Sequence, residues 1–153
     1  MGFSKNRLIC AGNEWILLGG RIRIHPTPAA HPIIAIDNDG FMECVGYIIE
    51  VSGRNIFYHS GDTFLVNELV KNLSNFALIK IAILPVNEHN YFKENLGILG
   101  NMGIRDAFYF AKILQCEELI PMHWDMFKCN SVFKEQISLL YDLLKPKFKL
   151  NFL

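Results

Sequence analysis

The chain has 153 residues, and its 15 basic and 15 acidic side chains give a formal net charge of zero at pH 7. The charge balance therefore offers no attraction for nucleic acid or an anionic membrane. The length suits one domain, residues 1–153, and is too short for two of ordinary size. Although 51% of the residues are hydrophobic, the longest apolar run, Phe76–Val86, is 11 residues, against the roughly 20 that a membrane span needs.

Two further features favour a cytoplasmic protein. Residues 1–7 are followed by no long apolar segment, so they do not resemble a signal peptide. The four cysteines show no C-x-x-C spacing, which is typical of reduced, mostly buried thiols. We therefore predict a cytoplasmic location.

The first part of the chain predicts short antiparallel strands. Residues 21–25 alternate polar and apolar side chains, as a half-buried strand does. Three prolines at 26, 28 and 32 then predict an irregular loop, and residues 37–40 predict a turn. Ser52-Gly53-Arg54 lies between two β-rich segments and predicts a hairpin. The predicted strands are Trp15–Leu18, Arg21–His25, Cys44–Val51 and Asn55–His59.

After residue 62 the apolar residues recur at helical spacing, and strands and helices then follow one another. The predicted helices are Phe64–Leu73, Ile104–Leu114 and Val132–Leu144, and the predicted strands are Leu78–Leu84 and Glu118–Pro121. The apolar face of the second helix is expected at Ala107, Phe108, Phe110 and Ala111. A loop rich in Gly and Asn is expected over residues 88–103. This order predicts a single layered α/β unit.

Three polar residues follow three separate predicted strand segments: His31, Asp62 and His123. Imidazole and carboxylate side chains at neighbouring strand ends are typical of a metal site at the edge of a sheet. Each residue also has a simpler interpretation. Asp62 could cap the helix predicted from Phe64, His31 could be a plain loop residue, and His123 could be a packed, hydrogen-bonded histidine.

Segments 27–31, 46–63 and 107–125 together resemble the metallo-β-lactamase superfamily of metal-dependent hydrolases. Their order is that of the family's third, fourth and fifth metal-ligand motifs, and the resemblance covers about residues 15–127. The loops at 84–87 and 100–103 are similar to those of the L-ascorbate-6-phosphate lactonase-like branch. The resemblance implies the C-terminal portion of an αβ/βα sandwich, with a mixed β-sheet and helices packed on one face.

The resemblance also implies a chemistry. His31 would bind one metal ion, His123 a second, and Asp62 would bridge the two as the catalytic carboxylate. The cofactor would be a divalent metal, zinc or else manganese or iron. A metal-bound hydroxide would hydrolyse a lactone or phosphoester in a small molecule such as a phosphorylated sugar.

Five more residues are candidates for supporting a ligand or contacting substrate, namely His59, Asn87, Asn101, Arg105 and Asp125. The Arg105 fork matches phosphate oxygens, although it could be an ordinary polar residue at a helix start. Asp125 could orient His123 or begin a turn. His25 and His89 are predicted to be surface residues. The interleaved lysines at 145, 147 and 149 are typical of a solvated edge, with a phosphate contact as the alternative.

The chain departs from the family in one respect. The family's H-x-H-x-D-H signature precedes these motifs, and no two of the five histidines in this sequence are separated by a single residue. The resemblance therefore implies a truncated domain whose remaining ligands lie in an N-terminal half, with which it would pair. Self-association, an inactive remnant serving as an interaction module, and a rearranged mononuclear metal site are the alternatives.

Overall fold

The computed structural model describes Ser4, residues 8–76 and residues 78–153, with the side chain of Asn55 excepted. The prediction about a signal peptide concerns residues 1–7, which lie outside the described residues apart from Ser4. Among the described helices, none is long and apolar enough to cross a membrane.

The described strands form one mixed seven-stranded sheet in which spatial order equals chain order. The first four strands pair antiparallel, and the last three are added in parallel. The strands are β1 (Ile16–Gly19), β2 (Ile22–Pro28), β3 (Val45–Val51), β4 (Arg54–His59), β5 (Ile79–Pro85), β6 (Glu118–Met122) and β7 (Lys149–Leu150). The predicted α/β class with a mixed sheet is confirmed.

The described helices all follow β4 in the chain. They are α1 (Asn67–Leu73), α2 (Tyr91–Asn95), α3 (Ile104–Ile113) and α4 (Lys134–Leu144), with a 3-10 turn at Lys128–Asn130. The predicted apolar face of α3 is confirmed, because Ala107, Phe108, Phe110 and Ala111 are its buried residues.

The hydrophobic core lies on one face of the sheet. Ile48, Tyr58, Ala82 and Leu119 are in register across β3 to β6, and all four side chains are fully buried. Buried residues of α1, α3 and α4 belong to the same core cluster. The helices therefore cover this face, as predicted.

The opposite face of the sheet carries an apolar row that the helices do not cover. Ile24, Ile49, Phe57 and Ile81 are in register on β2 to β5, and each is only half-buried. Alternation along the strands adds Tyr47 and Ile83 to this row. We call the six residues the open face.

Four boundary predictions were wrong. The strand expected to end at His25 continues through Pro26 and Pro28, because these residues pair with β3. The helix expected from Phe64 begins at Asn67 with Val66 as its N-cap, so Asp62 does not cap it. The reason is that the Phe64 N–H donates to Ala30 O at 2.8 Å, which keeps this segment extended. The expected loop at residues 88–103 contains α2, and the sheet continues into the unpredicted β7.

Candidate functional site

The loop that carries Asp62 needs glycine beside it. Gly61 has φ +63°, and a Cβ at this position would overlap the Val45 carbonyl oxygen. Across the turn, a Cβ on Gly46 would lie 2.6 Å from Ser60 O. β3 and the Asp62 loop are therefore packed backbone to backbone at both glycines. Only glycine, which has no Cβ, accepts so close an approach, and at Gly61 it also accepts the positive φ.

Thr63 joins three loops at this end of the sheet. Its buried hydroxyl accepts a hydrogen bond from the Ala30 N–H at 2.9 Å, and its carbonyl accepts one from the Met102 N–H at 3.0 Å. Ala30 precedes His31 and Met102 follows Asn101, so these bonds hold the His31 and Asn101 loops beside Asp62. Thr63 was not among the predicted site residues, because no local sequence pattern marks such long-range bonds.

Asp62 and His123 are in direct contact. Their Oδ1 and Nε2 atoms are 2.8 Å apart at the ends of β4 and β6. His123 has φ +61°, an uncommon left-handed conformation for a non-glycine residue that is often found at functional sites. Hydrogen bonding to His123 lowers the pKa of Asp62 more than burial raises it, and the neighbouring His31 and donation by Asn101 lower it further. Asp62 is therefore held as a carboxylate.

His59 supports the Asp62 loop from the strand below. Its Nδ1 accepts a hydrogen bond from the Gly61 N–H at 3.1 Å. Burial lowers the pKa of His59, and the neighbouring His123 lowers it further. A neutral imidazole with Nδ1 as acceptor agrees with both observations, and it places His59 beneath the Asp62 turn.

His31 lies across the cluster, on the loop after β2. Its ring stacks on Phe64 with centroids 6.4 Å apart, and His31 lies near enough to Asp62 to lower the pKa of that carboxyl. The His31 Nδ1 atom is buried and has no hydrogen-bond partner among the described residues. An unpaired imidazole nitrogen next to a carboxylate is a candidate metal donor.

A buried lysine holds the loop on the far side of Asp62. The Asn101 side chain donates to Asn87 Oδ1 at 3.1 Å. The Lys93 ammonium on α2 donates to Asn87 O at 3.2 Å and to Glu88 O at 2.7 Å. Lys93 is only 6% exposed, and burial lowers its pKa. A lysine in a segment predicted to be a loop is expected to be exposed to solvent, so the sequence did not reveal the structural role of Lys93.

Two predicted site residues lie apart from this cluster. Arg105 lines surface cavities beside α3, and neither Asp62 nor His123 is among the described lining residues of those cavities. Asp125 is exposed, and no hydrogen bond joins it to His123 within the described ranges. The turn interpretation of Asp125 therefore agrees better with the structure.

The two remaining histidines differ from each other. His25 was predicted to be a surface residue, but its half-buried ring makes edge contacts with Trp15 and Phe76 at 5.3 and 4.9 Å. That prediction was wrong because α1 leads Phe76 back over β2. His89 is exposed, as predicted.

The donors at this site do not complete a metal shell. Catalytic zinc usually keeps three protein ligands. Over residues 8–76 and 78–153, no three His, Cys, Asp or Glu side chains are grouped so that they could hold an ion. Asp62 and His123 have suitable donor atoms but contact each other, and His31 stands nearby with its nitrogen unpaired. By themselves the described residues do not fit a metal ion, so further donors are needed.

Comparison with known proteins places this geometry in a family. The family described as the β-lactamase superfamily domain matches residues 9–124. A UPF0173 metal-dependent hydrolase of Heliobacterium modesticaldum is 30% identical over 116 residues, which is 71% of this chain and 42% of that protein. A second UPF0173 metal-dependent hydrolase, of Pelotomaculum thermopropionicum, is 32% identical over 68% of this chain and 42% of its own length.

A solved structure gives the same fold. A metallo hydrolase from the archaeon Ignicoccus hospitalis has a TM-score of 0.67 and 23% identity, covering 93% of this chain and 55% of that one. The chain spans less than half the length of the two UPF0173 relatives described above. With a family match over most of its length and ligand-type residues at the ends of its strands, the chain belongs to the metallo-β-lactamase superfamily.

Proposed function

We propose that this chain forms part of a metal-dependent hydrolase and supplies His31, Asp62 and His123 to its metal centre. The contact between Asp62 and His123 carries the proposal, because two distant strand ends bring a carboxylate and an imidazole within 2.8 Å. The unpaired His31 Nδ1 and the names of the curated relatives support it.

The remaining metal donors are proposed to come from residues outside this sequence. No three described residues could hold an ion together, whereas the superfamily resemblance includes a histidine-rich motif that this sequence lacks. The open face supports the same proposal. A half-buried apolar row across β2 to β5 is the kind of surface that a second layer of a sandwich buries. Self-association through the open face is the alternative.

The proposed reaction is hydrolysis of a lactone or phosphoester in a small molecule. Support comes from the resemblance of loops 84–87 and 100–103 to the sugar-phosphate lactonase-like branch. Asn101, on the second of these loops, lies beside Asp62 and has a buried Oδ1 without a partner among the described residues. Such an amide group is suited to orienting a polar substrate. The proposed metal is zinc, with manganese or iron as alternatives.

The experiment combines this chain with the part of the Heliobacterium relative that it does not match. The complex is purified, and zinc, manganese and iron are measured by elemental analysis. We expect one or two equivalents of metal in the complex and at least about a 10-fold lower metal content in Asp62→Asn and His123→Ala complexes. Asp39→Asn, in the exposed turn at residues 37–40, is the matched control and should keep the metal.

The metal-loaded complex is then assayed with lactones and phosphodiesters. Metal that stays unchanged in Asp62→Asn would show that this residue is not a ligand and would refute the proposed site. A complex that binds metal through Asp62 but hydrolyses neither substrate class would refute the substrate proposal alone. Failure of the two parts to associate, with the isolated chain a dimer, would favour self-association through the open face.

A further inference from the structure

A cavity of about 810 Å³ lies between α3 and the segment that joins α4 to β7. Its volume is within the roughly 300–1,000 Å³ range of small-molecule sites. Residues from two distant parts of the chain form its walls, including Arg105, Tyr109, Lys112, Lys145, Lys147 and Phe148. None of the described lining residues belongs to the Asp62 cluster.

The cavity is strongly cationic. Arg105 and Lys112 approach it from α3, and Lys145 and Lys147 from the opposite wall. Among its described lining residues none is acidic, and within the described ranges none of these four cations forms an ion pair. Four uncompensated positive charges around one cavity attract anions.

The floor of the cavity is apolar and firmly held. Phe108 and Phe148 are each 3% exposed, and their rings meet edge to face with centroids 5.5 Å apart. The Tyr141 hydroxyl donates to Phe148 O at 3.0 Å, and the Lys145 N–H donates to Tyr141 O at 2.9 Å. These contacts fix the lysine-bearing wall to α4, so the cavity is built by the fold.

We propose that this cavity binds a small organic phosphate that has a flat apolar body. The phosphate would contact the cations, for which the Arg105 fork and the lysine ammonium groups are suited. The apolar body would lie against the exposed side chains of Tyr109 and Leu144. The buried rings of Phe108 and Phe148 support this surface from below. Arg105 and two of the three C-terminal lysines that the sequence offered as phosphate contacts, Lys145 and Lys147, thereby fall in one site, which requires no metal.

The test uses phenyl phosphate, the simplest molecule that combines both features, titrated at low salt and followed by amide NMR shifts. We expect shifts at Tyr109 and Lys147 and a Kd that rises at least about 10-fold in the double variant Lys145→Gln/Lys147→Gln. That change is roughly 1.4 kcal/mol. The exposed lysines of Lys71→Gln and Lys128→Gln are matched controls and should leave the Kd unchanged.

Two companion ligands separate the contributions of charge and apolar contact. Inorganic phosphate and benzyl alcohol should each bind at least about 10-fold more weakly than phenyl phosphate. Equal binding of inorganic phosphate would overturn the role of the apolar floor, and equal binding of benzyl alcohol would overturn the role of the cations. Arg105→Gln gives a second variant outside the α4–β7 segment. A Kd unchanged in both Arg105→Gln and the double variant would overturn the site itself.

Discussion

Replacing Lys93 by methionine tests whether a buried ammonium group holds the loop beside Asp62. Methionine keeps an unbranched side chain of similar length but cannot donate to the carbonyls of Asn87 and Glu88. Those two bonds, at 3.2 and 2.7 Å, are the contacts that fix α2 to the loop. Their loss should loosen the loop that presents Asn101.

The expected cost follows from the partners left behind. Hydrogen bonds to charged groups are each worth about 1.5–3 kcal/mol. The Asn87 carbonyl keeps a bond from the Asn101 N–H at 3.4 Å, so part of its bonding survives. Methionine also removes the cost of burying a charged ammonium group, the same burial that lowers the pKa of Lys93. This gain offsets a further part of the loss. We expect a net loss of about 2 kcal/mol in the free energy of unfolding, or ~4–8 °C in Tm.

Urea unfolding gives the stability, and hydrogen exchange reports on the loop. The His89 N–H donates to Asn101 O at 2.9 Å, so its exchange should quicken in Lys93→Met. Lys71→Met, at an exposed position on α1, is the matched control and should change neither measurement. A Lys93→Met chain whose stability stays within ~0.5 kcal/mol of the natural chain, with His89 exchanging at the natural rate, would refute this role of Lys93.

Three other changes have directions set by the structure. Gly61→Ala should cost at least about 2 kcal/mol in urea unfolding, because its Cβ would overlap backbone, whereas Gly40→Ala, with positive φ but open space, should cost about 1. Hydrogen bonding to Arg23 lowers the pKa of Glu50, so its stabilisation is present above the ordinary glutamate pKa and lost as the pH falls through the lowered value. The Tm of Glu50→Gln should therefore lie below that of the natural chain at neutral pH, and the two Tm values should converge only in acid. Ile49→Thr, on the open face, should reduce self-association of the isolated chain in sedimentation velocity.

Local periodicity was enough to predict most of the sheet and the buried face of α3. The alternating residues of β2 and the helical spacing of Phe108 and Ala111 reflect which side of a single element faces the core. Such patterns are visible in a single segment. The order of His31, Asp62 and His123 after strand segments likewise predicted residues that the structure brings to one end of the sheet.

Other features depend on partners far away in sequence. The start of α1 is delayed because Phe64 bonds to Ala30, and β7 exists because its two residues pair with β6. The roles of Thr63 and Lys93 rest on backbone atoms of other loops. No periodicity encodes such bonds, so sequence reasoning had no means of finding them.

The identity of strand order and chain order has a consequence for how the fold can be assembled. Each strand finds its partners among its immediate neighbours along the chain, so no pairing requires threading through finished structure. The antiparallel pairs β1–β2 and β3–β4 close short turns, whereas the parallel pairs close connections that contain helices. The sheet can therefore grow outward strand by strand as the polypeptide is made. A cut between two adjacent strands would leave two contiguous blocks of sheet, and re-forming that one strand pairing would rejoin the sheet.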